Sequence, residues 1–270
     1  CANNETERLS ETPDQTYAKE MMEQAEAEVE AALQLLEETE LENRSGNTIT
    51  VPAGSVDALA TAIQDAGPGG TVILEAGSHE ASGTVLIPYQ LTLKGEPGAI
   101  LMVDVSPANF QEQPIVLAPA IHLQNADRSR IEGLEIRPAG ATGKTGILAE
   151  HSHQLRIEGN AVYQFQSGIF LYGSDRTTIR GNYVEGLMGA EAQIGISVMK
   201  GQRVLLTDNE AVQNNIGLFL SDRNGLAFRN QTNGNGQEGL VLCKLPGYQL
   251  PGGENISAPE SANGWLVYQN

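Results

Sequence analysis

The dipeptide Gly-Ile or Gly-Leu recurs at Gly146-Ile147, Gly168-Ile169, Gly195-Ile196, Gly217-Leu218 and Gly239-Leu240, at spacings of 22, 27, 22 and 22 residues. A second column keeps the same phase, with Ile131, Ile157, Ile179, Leu206 and Phe228 following one another at 26, 22, 27 and 22. A fixed period of this length means a solenoid, in which each unit buries its apolar face only by stacking on its neighbours. The fold is therefore constrained early, whereas function is not.

Each unit carries a β template. Gln90-Leu91-Thr92-Leu93-Lys94-Gly95 and Gln154-Leu155-Arg156-Ile157-Glu158-Gly159 are near copies, and Arg130-Ile131-Glu132-Gly133 and Thr178-Ile179-Arg180-Gly181 follow them. Period-two alternation points Leu93, Ile131, Ile157, Ile179, Leu206 and Phe228 inward. Thr92, Arg130, Arg156 and Thr178, with Lys94, Glu132, Glu158 and Arg180, then point outward. Asn160, Asn182 and Asn209 align three residues after the inward column, where turn asparagines can bond from coil to coil as a ladder. The longer coils place extra loop at one corner, as at 186–192.

Charge is uneven. Residues 1–44 hold 13 acids against Arg8, Lys19 and Arg44, so more than half of the net −18 sits there. Nucleic acid is excluded as a partner, since phosphate neutralisation needs clustered Lys and Arg. No apolar run reaches the length of a membrane span. Within residues 15–44, Ala18, Met22, Ala25, Val29, Ala32 and Leu36 recur at helical spacing, which predicts an acidic amphipathic helix. Its seam of small residues is weak, so it either docks or stands as a solvated stalk.

Ser55 is placed to cap a short helix from Val56 to about Ala66 that buries Leu59 and Ile63 and ends at Gly67-Pro68-Gly69-Gly70. A short helix followed by Pro-Gly-Gly-Thr-Val-Ile-Leu-Glu-Ala-Gly resembles the opening cap of right-handed parallel β-helix proteins of the pectate-lyase-like superfamily, where the helix covers unpaired strand edges. The resemblance extends over residues 49–270, and the repeats are similar to the family that includes NosD-like and carbohydrate-binding β-helices. It implies an all-β right-handed parallel β-helix of about eight coils. The start Cys1-Ala2-Asn3-Asn4 resembles a mature bacterial lipoprotein. That implies a lipid anchor on Cys1, a tether over residues 1–14 and a place in the cell envelope, on the periplasmic or surface side of the outer membrane. The sequence stops at Gln269-Asn270 after an apparent strand; because a solenoid needs a cap, either the natural chain continues or another chain covers the end.

The catalytic motifs of sister families are absent. There is no Asp-Asp pair, no Gly-His-Gly and no Asp-Pro-His-Asp, so no catalytic residue, cofactor or metal ligand is assigned. A lyase would need a base and a neutraliser of the uronate charge, from Arg, Lys or calcium. His151-Ser152-His153 is a close histidine pair at a turn with no Met or Cys cluster beside it. His79 and His122 read as solitary. The outward Arg130, Glu132, Arg156, Glu158 and Arg180 form a candidate ligand surface for a carboxylate or sugar acid, although cross-strand charge pairs also stabilise a bare sheet.

Beside the Gly-Ile column the outward positions read His122, Leu148, Phe170, Ser197, Phe219, Val241 and Leu266, an apolar stripe where solvent is expected. With Tyr172 it forms a candidate interface for the N-terminal helix, a partner protein or stacked sugar. The reading favoured is a non-catalytic envelope lipoprotein presenting a face to glycan or protein. The alternatives are a polysaccharide lyase or hydrolase acting on uronate glycan, and an envelope scaffold or NosD-like metal-delivery accessory.

Overall fold

The structure is a computed structural model and describes residue 27 and residues 46–105, 118–140, 143–186, 193–242, 248–249, 255–256 and 266–268. Contacts divide the chain into two units, residues 1–44 and 45–270. The anchor, the tether and, apart from residue 27, the 15–44 helix, like the loop 187–192, lie outside the described residues.

The second unit is a right-handed parallel β-helix of about eight turns. Among the described residues its strands form stacks of nine, seven and six. The nine-stranded sheet runs from Thr48–Val51 and Gly70–Leu74 through Arg130–Glu132, Arg156–Glu158 and Thr178–Arg180 to Leu266–Tyr268. The six-stranded sheet includes Ala161–Tyr163 and Tyr183–Glu185, and the seven-stranded sheet holds the Gly-Ile strands Gly143–Glu150, Phe165–Tyr172, Ile194–Gln202, Ile216–Arg223 and Glu238–Leu242. Chain order visits nine, then six, then seven.

Alternation fills the interior as predicted. Leu93, Ile131, Ile157, Ile179 and Leu206 are fully buried in one column, and Ile147, Ile169, Ile196 and Leu218 in another. Phe228 is a correction. Leu206 pairs with Ala227, and Phe228 pairs with Thr207 in the outward column. That coil advances 21 residues instead of 22, which moves every side chain to the other face.

The Gly column has a steric cause. A Cβ on Gly146, Gly168, Gly195 or Gly217 would meet the carbonyl oxygen of the next glycine in the column at 2.6 Å. At the corner between the nine- and six-stranded sheets the asparagine ladder is longer than the sequence suggested: Asn160, Asn182, Asn209 and Asn230 are all buried and linked side chain to side chain at 2.9–3.0 Å. Ser152 and Ser174 form a second ladder, accepting from the backbone N–H of Ala126 and Ser152.

The cap helix spans Ala58–Ala66 and buries Leu59, Ala62, Ile63 and Ala66. Its start differs from the expectation. Asp57 occupies the cap position with φ 53° and no side-chain cap bond. Its carboxylate is held instead by Ser82 N–H and Oγ–H, and Ser55 Oγ–H turns back to Pro52 O.

Candidate functional site

The nine-stranded face holds the predicted charged set in two columns. Arg130 stacks directly on Arg156, and Glu132 on Glu158, while Arg180 faces Glu158 from the next coil. Like charges therefore neighbour each other between the first two coils, while opposite charges meet along the strand, as between Arg130 and Glu132 at 3.5 Å, and across the coils at Glu158 and Arg180. Arg156 is only 3% exposed. Burial, then the Arg156 charge, lowers the Arg130 pKa, and burial raises that of Glu158. These five side chains are brought together, but as a sheltered surface.

The apolar stripe is real as a register. Leu86, His122, Leu148, Phe170, Ser197, Phe219 and Val241 succeed one another on the outer face of the seven-stranded sheet. Tyr172 stands in the adjoining outward column between Glu150 and Met199. Leu266 is a correction, because its backbone partner is Leu226 in the nine-stranded sheet. The excursion after Leu242 delivers the chain to the sheet that normally follows, and Gly264-Trp265-Leu266 imitates the Gly-Ile motif by composition alone. Leu148, Tyr172, Ser197 and Phe219 are buried, His122, Phe170 and Val241 are half-open, and Leu86 is exposed.

His122 is not solitary, since its Nε2 lies 3.2 Å from Glu150 Oε2. That hydrogen bond lowers the Glu150 pKa against the opposing effect of burial. Beyond it, Tyr172 is contacted edge-on by His151, with ring centroids 5.6 Å apart, and lies 5.1 Å from Lys200 Nζ. His153 Nδ1 accepts the Asp175 N–H at 3.1 Å. Among the described residues, no cluster of three His, Cys, Asp or Glu could hold a metal ion.

The corner between the seven- and nine-stranded sheets is built from two left-handed positions per coil. One runs through Asn125, His151, Gly173 and Lys200, the other through Arg128, Gln154, Arg176, Arg203 and Asn224, with φ between 47° and 61°. Glycine fills such positions without steric cost. It does so at Gly133, Gly159 and Gly181 of the corner between the nine- and six-stranded sheets, whose later rungs carry Asp208 at φ 57° and Arg229 at φ 51°. Here five of nine positions carry Lys, Arg or His instead. Arg128, Arg176, Arg203 and His151 are exposed, and Asp127, Asp175 and Glu150 are interspersed. The rungs are about 4.8 Å apart, so the cations form a row along the solenoid axis. Sequence reasoning missed this row because the cations lie at turn positions outside the strand template.

Residues 119–247 match the family described as right handed beta helix region. No curated protein matches the chain. Among solved structures, the chain is similar to an alginate lyase from Paenibacillus sp. strain FPU-7, at 17% identity and a TM-score of 0.54 over 72% of this chain and 68% of that one. A protein of Parabacteroides merdae provisionally described as a glycosyl hydrolase gives 14% and 0.49, over 67% and 94%. At these identities the likeness is one of fold.

Proposed function

We propose that this β-helix is a glycan-binding protein of the cell envelope, tethered through Cys1, that lays an acidic polysaccharide along the corner between its seven- and nine-stranded sheets. The observation that carries this reading is the occupation of left-handed backbone positions by Arg128, His151, Arg176, Lys200 and Arg203. A non-glycine residue held there costs about 1 kcal/mol, and the neighbouring corner avoids it with glycine at three of its five rungs, Gly133, Gly159 and Gly181, ahead of Asp208 and Arg229. Cations retained against that cost, on a chain of net charge −18, suit a ligand with one carboxylate per sugar that runs from rung to rung. Guanidinium groups meet carboxylates through paired hydrogen bonds, and Phe170, half open beside the row, offers an apolar face to a sugar ring.

A second reading has its own observation. The His122–Glu150 pair lies on the adjoining outer face, where an imidazole oriented by a carboxylate is a competent proton acceptor. In that reading the bound uronate is cleaved.

Calorimetric titration with an oligouronate and with a neutral oligoglucan separates these ideas. Binding of the oligouronate that weakens with salt, and falls at least about tenfold in Arg128→Asn/Arg176→Asn/Arg203→Asn, is the expected result. Equal affinity for the neutral glucan would overturn the acidic-ligand assignment. Growth of the ultraviolet absorbance of an unsaturated uronate end, lost in His122→Ala, would replace binding with cleavage.

A further inference from the structure

The outer face of the six-stranded sheet contains a guanidinium site that the fold fills itself and a second of similar chemistry. In the first, Arg137 lies with its guanidinium carbon 4.1 Å from the centroid of the Tyr163 ring, and its Nε donates to Glu135. A ring face and a carboxylate thus clamp one cation. In the second, Tyr183 stands 5.6 Å from Tyr163 at 48°, its hydroxyl donates to Glu185 Oε2 at 2.8 Å, and Glu210 is its register partner on the next coil. The second group therefore has a ring and two carboxylates, and among the described residues no cation is recorded on it. Glu210 is exposed, and Tyr183 and Glu185 are half-buried.

Glu210 faces Tyr183 and Glu185 faces Val212, so the two carboxylates lie on a diagonal between neighbouring rungs with the Tyr183 ring beside both, an arrangement complementary to a cation. The negative field is felt by Tyr183 itself, whose pKa rises to about 12, first through burial and then through Glu185, Tyr163 and Glu210. This face is opposite in sign to the cationic corner, so one ligand does not suit both.

We propose that Tyr183, Glu185 and Glu210 bind an arginine side chain of a partner protein, reproducing with a second chain the clamp that Tyr163 and Glu135 make around Arg137. Guanidinium is favoured over ammonium because the ring that the fold itself pairs carries guanidinium, which stacks and bonds a carboxylate at once. The site is independent of glycan binding at the corner.

The test is a titration of the full chain with a tetra-arginine peptide, followed by amide and aromatic chemical shifts, with tetra-citrulline as the neutral isostere. Shifts centred on Tyr183 and Glu210, and an affinity about tenfold weaker in the charge-conserving variant Tyr183→Leu, are expected. Glu210→Gln should weaken binding, whereas Glu96→Gln, an acid removed elsewhere, should not. Because the chain is strongly acidic, non-specific attraction is the rival. Equal binding by Tyr183→Leu, equal loss in Glu96→Gln, or binding of tetra-citrulline would each overturn the proposal. Saturating oligouronate should leave the peptide affinity unchanged, and competition between the two would sink the claim of separate sites.

Discussion

Asn182 donates through Nδ2 to Asn209 Oδ1 at 2.9 Å, and the same oxygen accepts the Asn182 backbone N–H at 3.0 Å. One side chain thus satisfies both a neighbouring side chain and a turn amide in a buried place. Asn182 repeats the arrangement toward Asn160 and also donates to Ile157 O at 2.7 Å. Asn182→Ala strands several buried polar groups at once, each worth about 1–3 kcal/mol when left unpaired. We expect a loss of about 3 kcal/mol in urea denaturation, with faster amide exchange at Asn160. Asn182→Asp keeps the acceptor and loses the donors, so it should be destabilised too.

The glycine column predicts a contrast between two substitutions. Gly168→Ala places a methyl 2.6 Å from the Gly195 carbonyl oxygen and against the buried Val184 side chain. Backbone cannot yield there without opening the stack, so the protein should lose several kcal/mol, on the order of 3 or more, or fail to fold. Gly181→Ala meets no atom within 4 Å but sits at φ 61°, and should cost only about 1 kcal/mol. Thermal unfolding of the two variants checks the ordering; equal losses would mean that the repeat glycines serve conformation and not close approach.

Much of this was legible because the repeat is chemically monotonous. Ile or Leu at alternate positions announces the interior, and Asn at a fixed offset announces the ladder. Phe228 was misplaced because a large apolar residue near the expected spacing hid a coil one residue shorter. Leu266 was misplaced because a glycine-led strand reads alike in either sheet, and only pairing distinguishes them. The His122–Glu150 contact joins residues 28 apart on a diagonal between neighbouring coils, so it became visible only once the register was fixed. The cationic corner is written in backbone dihedrals, which residue names do not display.

Tyr183 should titrate late. Its pKa, raised to about 12, is set by burial first and by Glu185 second. A group whose folded pKa lies above its unfolded value contributes stability that is complete below the unfolded value, about 10, and lost as pH rises from there toward 12. The difference between the ultraviolet titrations of wild type and Tyr183→Phe should isolate the Tyr183 phenolate as a late transition, shifted toward lower pH in Glu185→Gln. Stability of Tyr183→Phe should fall less between pH 10 and 12, and a phenolate titrating near 10 would contradict the environment described.

The arginines of the corner place stability and function in opposition. Arg176 is held at φ 53° and Arg203 at φ 58°, a region that asparagine tolerates better than arginine does. Were these side chains there for the fold, replacing them would weaken it. If they are there for an acidic ligand, Arg176→Asn and Arg203→Asn should unfold at the same urea concentration or a higher one, gaining up to about 1 kcal/mol from relieved strain. Oligouronate affinity should fall in the same variants, and the slope of affinity against salt should shrink as one cation is removed. A variant that loses stability while keeping its affinity would show that Arg176 serves the turn, and the argument that a strained corner is a binding corner would fail with it.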